Sequence, residues 1–189
     1  MSTPAIARTL VVSAASRHGG TCEIADRIAE TLAHELPKEW RVVRGDLSDL
    51  RVLDGADAVV LGSAIYYGHW LHSAIRALEY LRESDPTELW LFSTGPVAVD
   101  LGEEEALLTA DAPADLAGDD EHMVFGGNLD TSKLTFIERV VVKALHVLPG
   151  DHRDWADVDA WAAHIASELK SRGSHNSGTK GIPDQDPVL

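Results

Sequence analysis

The hydrophobic positions of this chain come in two textures, short unbroken runs and longer stripes at helical spacing. Leu10-Val11-Val12 opens the series and passes into Ser13-Ala14-Ala15-Ser16, which reads as a buried strand and its exit. From Thr21 the period changes. Ile24, Ile28, Leu32 and Leu36 recur on one face of a helix, and Pro37 closes it. Trp40 to Arg44 is predicted as a strand, and Leu47 to Leu53 as a connector with a helical turn or two. Ala58-Val59-Val60-Leu61-Gly62 is the next strand. A helix from about Trp70 to Leu81 follows, with Leu71, Ile75 and Leu78 toward the core. Leu89-Trp90-Leu91-Phe92 is the fourth strand, broken by Ser93-Thr94-Gly95-Pro96. His122-Met123-Val124-Phe125 is the fifth, ended by Gly126-Gly127.

Two helical patterns complete the chain. Residues 133 to 148 carry a wide apolar face (Ile137, Val140, Val141, Ala144, Leu145, Leu148), stopped by Pro149-Gly150. Asp154 is placed to cap a last helix with Asp157 in its first turn, where carboxylates suit the helix dipole. Trp155, Val158, Trp161, Ile165 and Leu169 would form its buried side. Strands that are apolar throughout, and alternate with helices, predict an α/β fold: a doubly wound, five-stranded parallel sheet covered on both faces. Residues 1–170 form the expected domain. Residues 171–189 lack any period and read as a disordered tail.

Charge narrows the range of functions. The 189 residues hold 31 acidic and 16 basic side chains, a formal charge of −15. Nucleic-acid binding draws on Lys and Arg against phosphates, so this balance argues against it, and against adsorption to an anionic bilayer. Nine of the acids fall in residues 98–121, which contain no Lys or Arg and suggest an acidic amphipathic helix. Cys22 is the single cysteine, which leaves no intrachain disulfide or thiolate metal site. No apolar run has transmembrane length and no secretory h-region opens the chain, so the cytoplasm is the expected compartment, without stable membrane insertion.

Candidate chemistry collects in three loops at strand ends, where doubly wound sheets hold ligands. Ser16-Arg17-His18-Gly19-Gly20-Thr21 joins the first strand to the first helix. Its glycines let the backbone approach an anion, Ser16 and Thr21 offer hydroxyls, and the first helical turn presents N–H groups. A GxGxxG fingerprint and a Gly-Lys-Ser/Thr nucleotide loop are both missing, and Cys22 lies in the helix rather than in the loop a cysteine phosphatase would need. Ala64 to Trp70, with Ile65, Tyr66, Tyr67, Gly68 and His69, forms an amphipathic aromatic segment suited to cover a planar heterocycle. Ser93-Thr94-Gly95-Pro96-Val97 is placed to supply the opposite wall.

These residues resemble the flavodoxin-like family, and most closely its branch of menaquinone-dependent protoporphyrinogen oxidases. The resemblance rests on Ser16 followed by Gly19-Gly20-Thr21 and Ile24-Ala25. It extends to Gly62, Ile65, Tyr67, Gly68 and His69, to Phe125-Gly126-Gly127, and to Asp154-Trp155 after an added helical segment at 128–150. It spans about residues 8 to 170. It implies strand order 2-1-3-4-5 with an extra helical segment after the fifth strand, and a bound FMN. The phosphate would sit on Ser16 to Thr21, and Ile65 to Gly68 and Thr94 to Val97 would flank the ring. The flavin carries the redox chemistry in such proteins, so no catalytic side chain is expected. A redox partner or a quinone is implied, and the 133–148 helix offers a surface for pairing copies of the chain. That segment departs from the branch in holding only Lys133, Arg139 and Lys143 as permanent cations.

Other constellations lead to less. His69 and His72 are i,i+3 without a third ligand, so no metal is expected. A phosphoacceptor domain would need acids after the first strand, where Ala14-Ala15-Ser16 stand, and an Asp after the third, where Gly62-Ser63 stand. Three functions stay open: FMN-dependent electron transfer or quinone-linked oxidoreduction, protoporphyrinogen oxidation proper, and a flavin-free module of the same fold that binds a partner.

Overall fold

A computed structural model describes residues 8–66, 69–84, 88–95, 122–130, 132–134 and 150–176. The elements run β1 (Arg8–Ala15), α1 (Gly20–Glu35), β2 (Trp40–Gly45), a 3-10 turn (Leu50–Leu53), β3 (Ala58–Tyr66), β4 (His69–Trp70), α2 (His72–Ser84), β5 (Glu88–Gly95), β6 (His122–Gly126), β7 (Asn128–Leu129), β8 (Gly150–Asp151) and α3 (Trp155–Asn176). The main sheet has the order β2-β1-β3-β5-β6, all parallel. The two-residue β4 only folds back antiparallel on β3. The order is therefore the expected 2-1-3-4-5 once that short return strand is set aside.

Each central strand is apolar throughout because each is buried twice. Leu10, Val12, Val60, Trp90 and Phe92 point to one face, under α1 and α3. Val11, Val59, Leu61 and Leu91 point to the other, under α2 and the 3-10 turn. The α1 stripe falls where its spacing puts it: Ile24, Ile28 and Leu32 are fully buried. Removing one such side chain from water contributes about 1.5–3 kcal/mol. Phe92, Phe125 and Trp161 form a triangle of edge-on rings with centroids 5.6 to 6.0 Å apart, which seats α3 on the sheet. Asp159 on α3 accepts both Nε and Nη2 of Arg27 on α1, at 2.7 and 2.6 Å.

Several boundaries differ from the sequence reading. β3 continues through Tyr66 and β5 through Gly95, because Ser63 and Ala64 still pair with Ser93 and Thr94, Ile65 and Tyr66 with the return strand β4, and Ser93 to Gly95 with β6. Trp70 belongs to β4, and α2 starts only at His72. Within α2 the core face is Ala74, Ala77, Leu78 and Leu81, while Ile75 is exposed. Packing against the sheet selects the small alanines there and turns the larger residue outward. Asp154 does cap α3, accepting from the N–H groups of Ala156 and Asp157 at 2.9 and 3.2 Å. Trp155 is exposed rather than buried, its ring covered by the guanidinium of Arg153 at 4.6 Å. α3 runs to Asn176, six residues past the expected end of the domain. The proposed acidic helix at 98–121, most of the 133–148 helix, and the tail from 177 lie outside the described residues.

Candidate binding site at the carboxyl edge of the sheet

The strand order reverses between β1 and β3, since β1 leads to β2 on one side and β3 to β5 on the other. The loops that leave these two strands therefore diverge and open a crevice. The loop after β1 is built around Ser16. Its Oγ accepts from the N–H of Gly19 at 2.9 Å and of Thr21 at 3.3 Å. Gly19, the residue before α1, has φ +92°, a left-handed conformation that L side chains resist. It has no side chain to cap the helix, and Ser16 does so from three residues upstream. Having accepted two bonds, Ser16 still has its own O–H to donate.

Thr21 is 3% exposed, and its Oγ1 lies 2.7 Å from Oγ1 of Thr94 on β5, itself 5% exposed. The phosphate-type loop is thus fastened to a strand two places away in the sheet. One of the two hydroxyl protons lies between the oxygens. The other is left over from that pair and can be donated elsewhere.

Arg17 leans across the crevice, its guanidinium carbon 4.6 Å from the centroid of the Tyr66 ring at the end of β3. Ile65 reaches toward β5, its Cδ1 3.9 Å from where a side chain on Gly95 would begin. The structure thereby brings together Ser16, Arg17, Gly19, Gly20, Thr21, Ile65, Tyr66, Thr94 and Gly95 along one edge. His18 lies in the same loop and helps lower the pKa of Asp130, whose main cause is the Ser132 hydroxyl bonded to its carboxylate. Tyr67, Gly68, Pro96 and Val97 fall outside the described residues.

Residues absent from the sequence reading also reach this edge. Asn128 on β7 packs over α1's first residue, with its Cβ 3.5 Å from where a methyl group on Gly20 would sit. A polar residue directly after the Gly126-Gly127 strand end was the available signal. Gly127 itself lies where a Cβ would come within 2.6 Å of the Gly95 carbonyl oxygen, so the ends of β5 and β6 meet only because it is glycine. β7 and β8 pair antiparallel, Asn128 with Asp151 and Leu129 with Gly150, and pin the two ends of the segment between them. Arg153, 6% exposed at its side chain, bonds both oxygens of Asp151 and also Glu23 in α1's first turn. The end of β8 is thereby latched to the helix that follows the loop. Cys22 is half-buried with its thiol toward the Ala14 carbonyl, and burial raises its pKa, which marks it as a packing residue.

The donor chemistry fits a phosphate: a glycine pair, a spare Ser16 proton, a second hydroxyl proton on the Thr21–Thr94 pair, and the N-terminal turn of a 16-residue helix. The aliphatic and aromatic surface of Ile65 and Tyr66 lies beside it. Among the described residues no group of three or more His, Cys, Asp or Glu could hold a metal ion, and no helix is long and apolar enough to cross a membrane.

A family model described as a flavodoxin domain matches residues 11–155. No curated protein matches the chain in sequence. Among solved structures, a flavodoxin, WrbA-like protein from Agrobacterium tumefaciens superposes with a TM-score of 0.52 at 14% identity, covering 87% of this chain and 98% of its own. The metal-soaked flavodiiron core from Synechocystis gives 0.55 at 13% identity over 89% of this chain. Rubredoxin:oxygen oxidoreductase from Desulfovibrio gigas gives 0.52 at 16% over 87%. This chain spans only 37% and 36% of those last two. At such identities the likeness is one of fold.

Proposed function

Because this chain belongs to the flavodoxin domain family, we propose that it holds FMN at the carboxyl edge of its sheet and passes electrons through it to a redox partner. The observation that carries this reading is the Ser16 loop. Its hydroxyl gathers the N–H groups of Gly19 and Thr21 and sets the start of α1 facing the crevice. In this reading Ser16 to Thr21 and the N-terminal turn of α1 hold the phosphate. Ile65, Tyr66, Tyr67 and Gly68 lie on one side of the ring, and Thr94 to Val97 on the other. The flavin, when bound, supplies one- and two-electron chemistry. The protein's part is to bind it, orient it and exclude water from one face.

A quinone is the second acceptor in this reading, suggested by the sequence resemblance to the menaquinone-dependent oxidases. Protoporphyrinogen is the less favoured substrate, since a chain of charge −15 repels a carboxylate-bearing porphyrin precursor. The cytoplasm is the proposed compartment.

The test is a visible spectrum of the purified protein after reconstitution with FMN and desalting. Retention of close to one FMN per chain is expected. A colourless protein that does not take up FMN overturns the reading and leaves a partner-binding module of the same fold. With FMN retained, turnover assays with a quinone and with protoporphyrinogen separate carrier from oxidase.

A further inference from the structure

We infer that His122 is a positioning residue for the ring-binding side of the crevice, acting through Ser93 and Trp70 on the β3–β4 hairpin. The inference rests on the FMN reading above and goes beyond it. The hairpin is a short one, with Ile65 paired to Trp70 and Tyr66 to His69. Its return is fixed by the Leu71 N–H, which donates to Ser63 Oγ at 2.9 Å. Two residue pairs make a weak ladder, so the hairpin needs an anchor. Trp70 supplies one. Its ring is buried, and its Nε1 donates to Ser93 Oγ at 2.8 Å. Ser93 is fully buried, and the same oxygen lies 2.9 Å from Nε2 of His122 on β6. The Trp70 and His122 rings are tilted against each other with centroids 6.5 Å apart. One serine hydroxyl thereby joins β4, β5 and β6.

Neighbouring residues of β5 divide the work. Successive side chains point to opposite faces of a strand. Thr94 holds the phosphate loop on the α1 side, and Ser93 holds the hairpin on the α2 side.

One order of protons satisfies every group in this hydrogen-bonded chain. The indole nitrogen is only a donor, so Ser93 Oγ accepts there. The Ser93 proton then goes to His122 Nε2, which requires the neutral ring protonated at Nδ1. A protonated ring makes Nε2 a donor and leaves the buried Ser93 proton to find another acceptor. Burial favours the neutral ring and holds the His122 pKa below its ordinary 6.5, and no charged side chain among the described residues contributes to that shift. The titratable and charged groups on the neighbouring elements are His69 on β4, Glu88 at the start of β5, which is held by Arg172, and His72, Arg76, Glu79, Tyr80, Arg82 and Glu83 on α2.

The variants are His122→Gln, whose amide oxygen can accept from Ser93 at any pH, and His122→Leu, which cannot. FMN dissociation constants are measured by fluorescence quenching at about pH 8 and at a pH below the His122 transition, which is located first from its ring resonances by NMR. The FMN phosphate also titrates in this range, but equally for every variant, so ratios between proteins cancel it. Between the two pH values, wild type is expected to lose about fivefold more affinity than His122→Gln, and His122→Leu to bind about fivefold more weakly than wild type already at the higher pH. Equal pH profiles for wild type and His122→Gln, or wild-type affinity in His122→Leu, overturn the inference.

A second readout needs no flavin. The indole N–H resonance of Trp70 should shift with the titration of His122 in wild type and stay fixed in His122→Gln. A wild type that takes up no FMN overturns the proposed function, while this resonance still decides whether His122 controls Trp70. An indole signal that ignores His122 overturns the inference even where FMN binds well.

Discussion

The hydroxyls of Thr21 and Thr94 lie 2.7 Å apart, although 73 residues separate them in the chain. Thr21 is in the first turn of α1 and Thr94 near the end of β5, so the bond crosses above β3. A loop that carries glycines at two adjacent positions would otherwise pay a large ordering cost each time it closed on an anion. Tied to the sheet, its backbone donors are held in place beforehand.

The pair makes an unequal prediction for single and double variants. Thr21→Val or Thr94→Val alone leaves a buried hydroxyl with its partner gone, and each should cost about 1–3 kcal/mol in urea unfolding. The double variant keeps the shape and removes both polar groups, so its cost should fall well below the sum of the two. Strictly additive losses would show that the two hydroxyls do not depend on each other.

How much of this was legible beforehand follows from the range of each interaction. The stripe Ile24, Ile28, Leu32 and the cap at Asp154 are local, and their spacing alone placed them. The loop at Ser16–Thr21 could be read as an anion site because its residue types suffice for that chemistry. Bonds made across the sheet had no local sign. Nothing near Ser93 foretells that it answers to Trp70 and His122, and nothing near Tyr66 foretells that Arg17 covers its ring. Ile75 and Trp155 failed for a related reason. Both lie in apolar helical patterns, but the width of the stripe that a sheet can cover is set by the partner surface. Here alanines and Arg153 took the places that the pattern assigned to larger side chains.

Arg153 gives a prediction in pH. Its guanidinium, bonded to both carboxylate oxygens, holds the Asp151 pKa below the ordinary 3.8. An acid whose folded pKa is depressed lends stability that is complete above its unfolded pKa and is lost as pH falls through the folded value. Wild type should therefore lose part of its stability below about pH 4 through this pair. Arg153→Met should be less stable at neutral pH and should lack that part of the acid loss. The check is a set of urea midpoints for both proteins from neutral pH to about pH 3, with the Asp151 carboxyl followed by NMR. Parallel curves would mean that the ion pair makes no net contribution in solvent.

Ser16 separates folding from binding. Its Oγ is an acceptor for the Gly19 and Thr21 N–H groups, and its proton is a donor toward the crevice. Ser16→Ala loses both roles and should cost about 0.5–2 kcal/mol of stability, as other helix caps do, together with affinity for FMN. Ser16→Asp keeps an acceptor in the loop and adds a negative charge near the start of α1, which suits the helix dipole. Its stability should stay near that of wild type. Where a phosphate is meant to sit, however, a carboxylate is repelled, so this variant should fold normally and bind FMN at least tenfold more weakly, a like-charge cost of more than about 1.4 kcal/mol. Thermal melts and a flavin titration on the two proteins decide the matter. A Ser16→Asp protein that still takes up FMN with wild-type affinity would place the phosphate elsewhere and detach this loop from the proposed function.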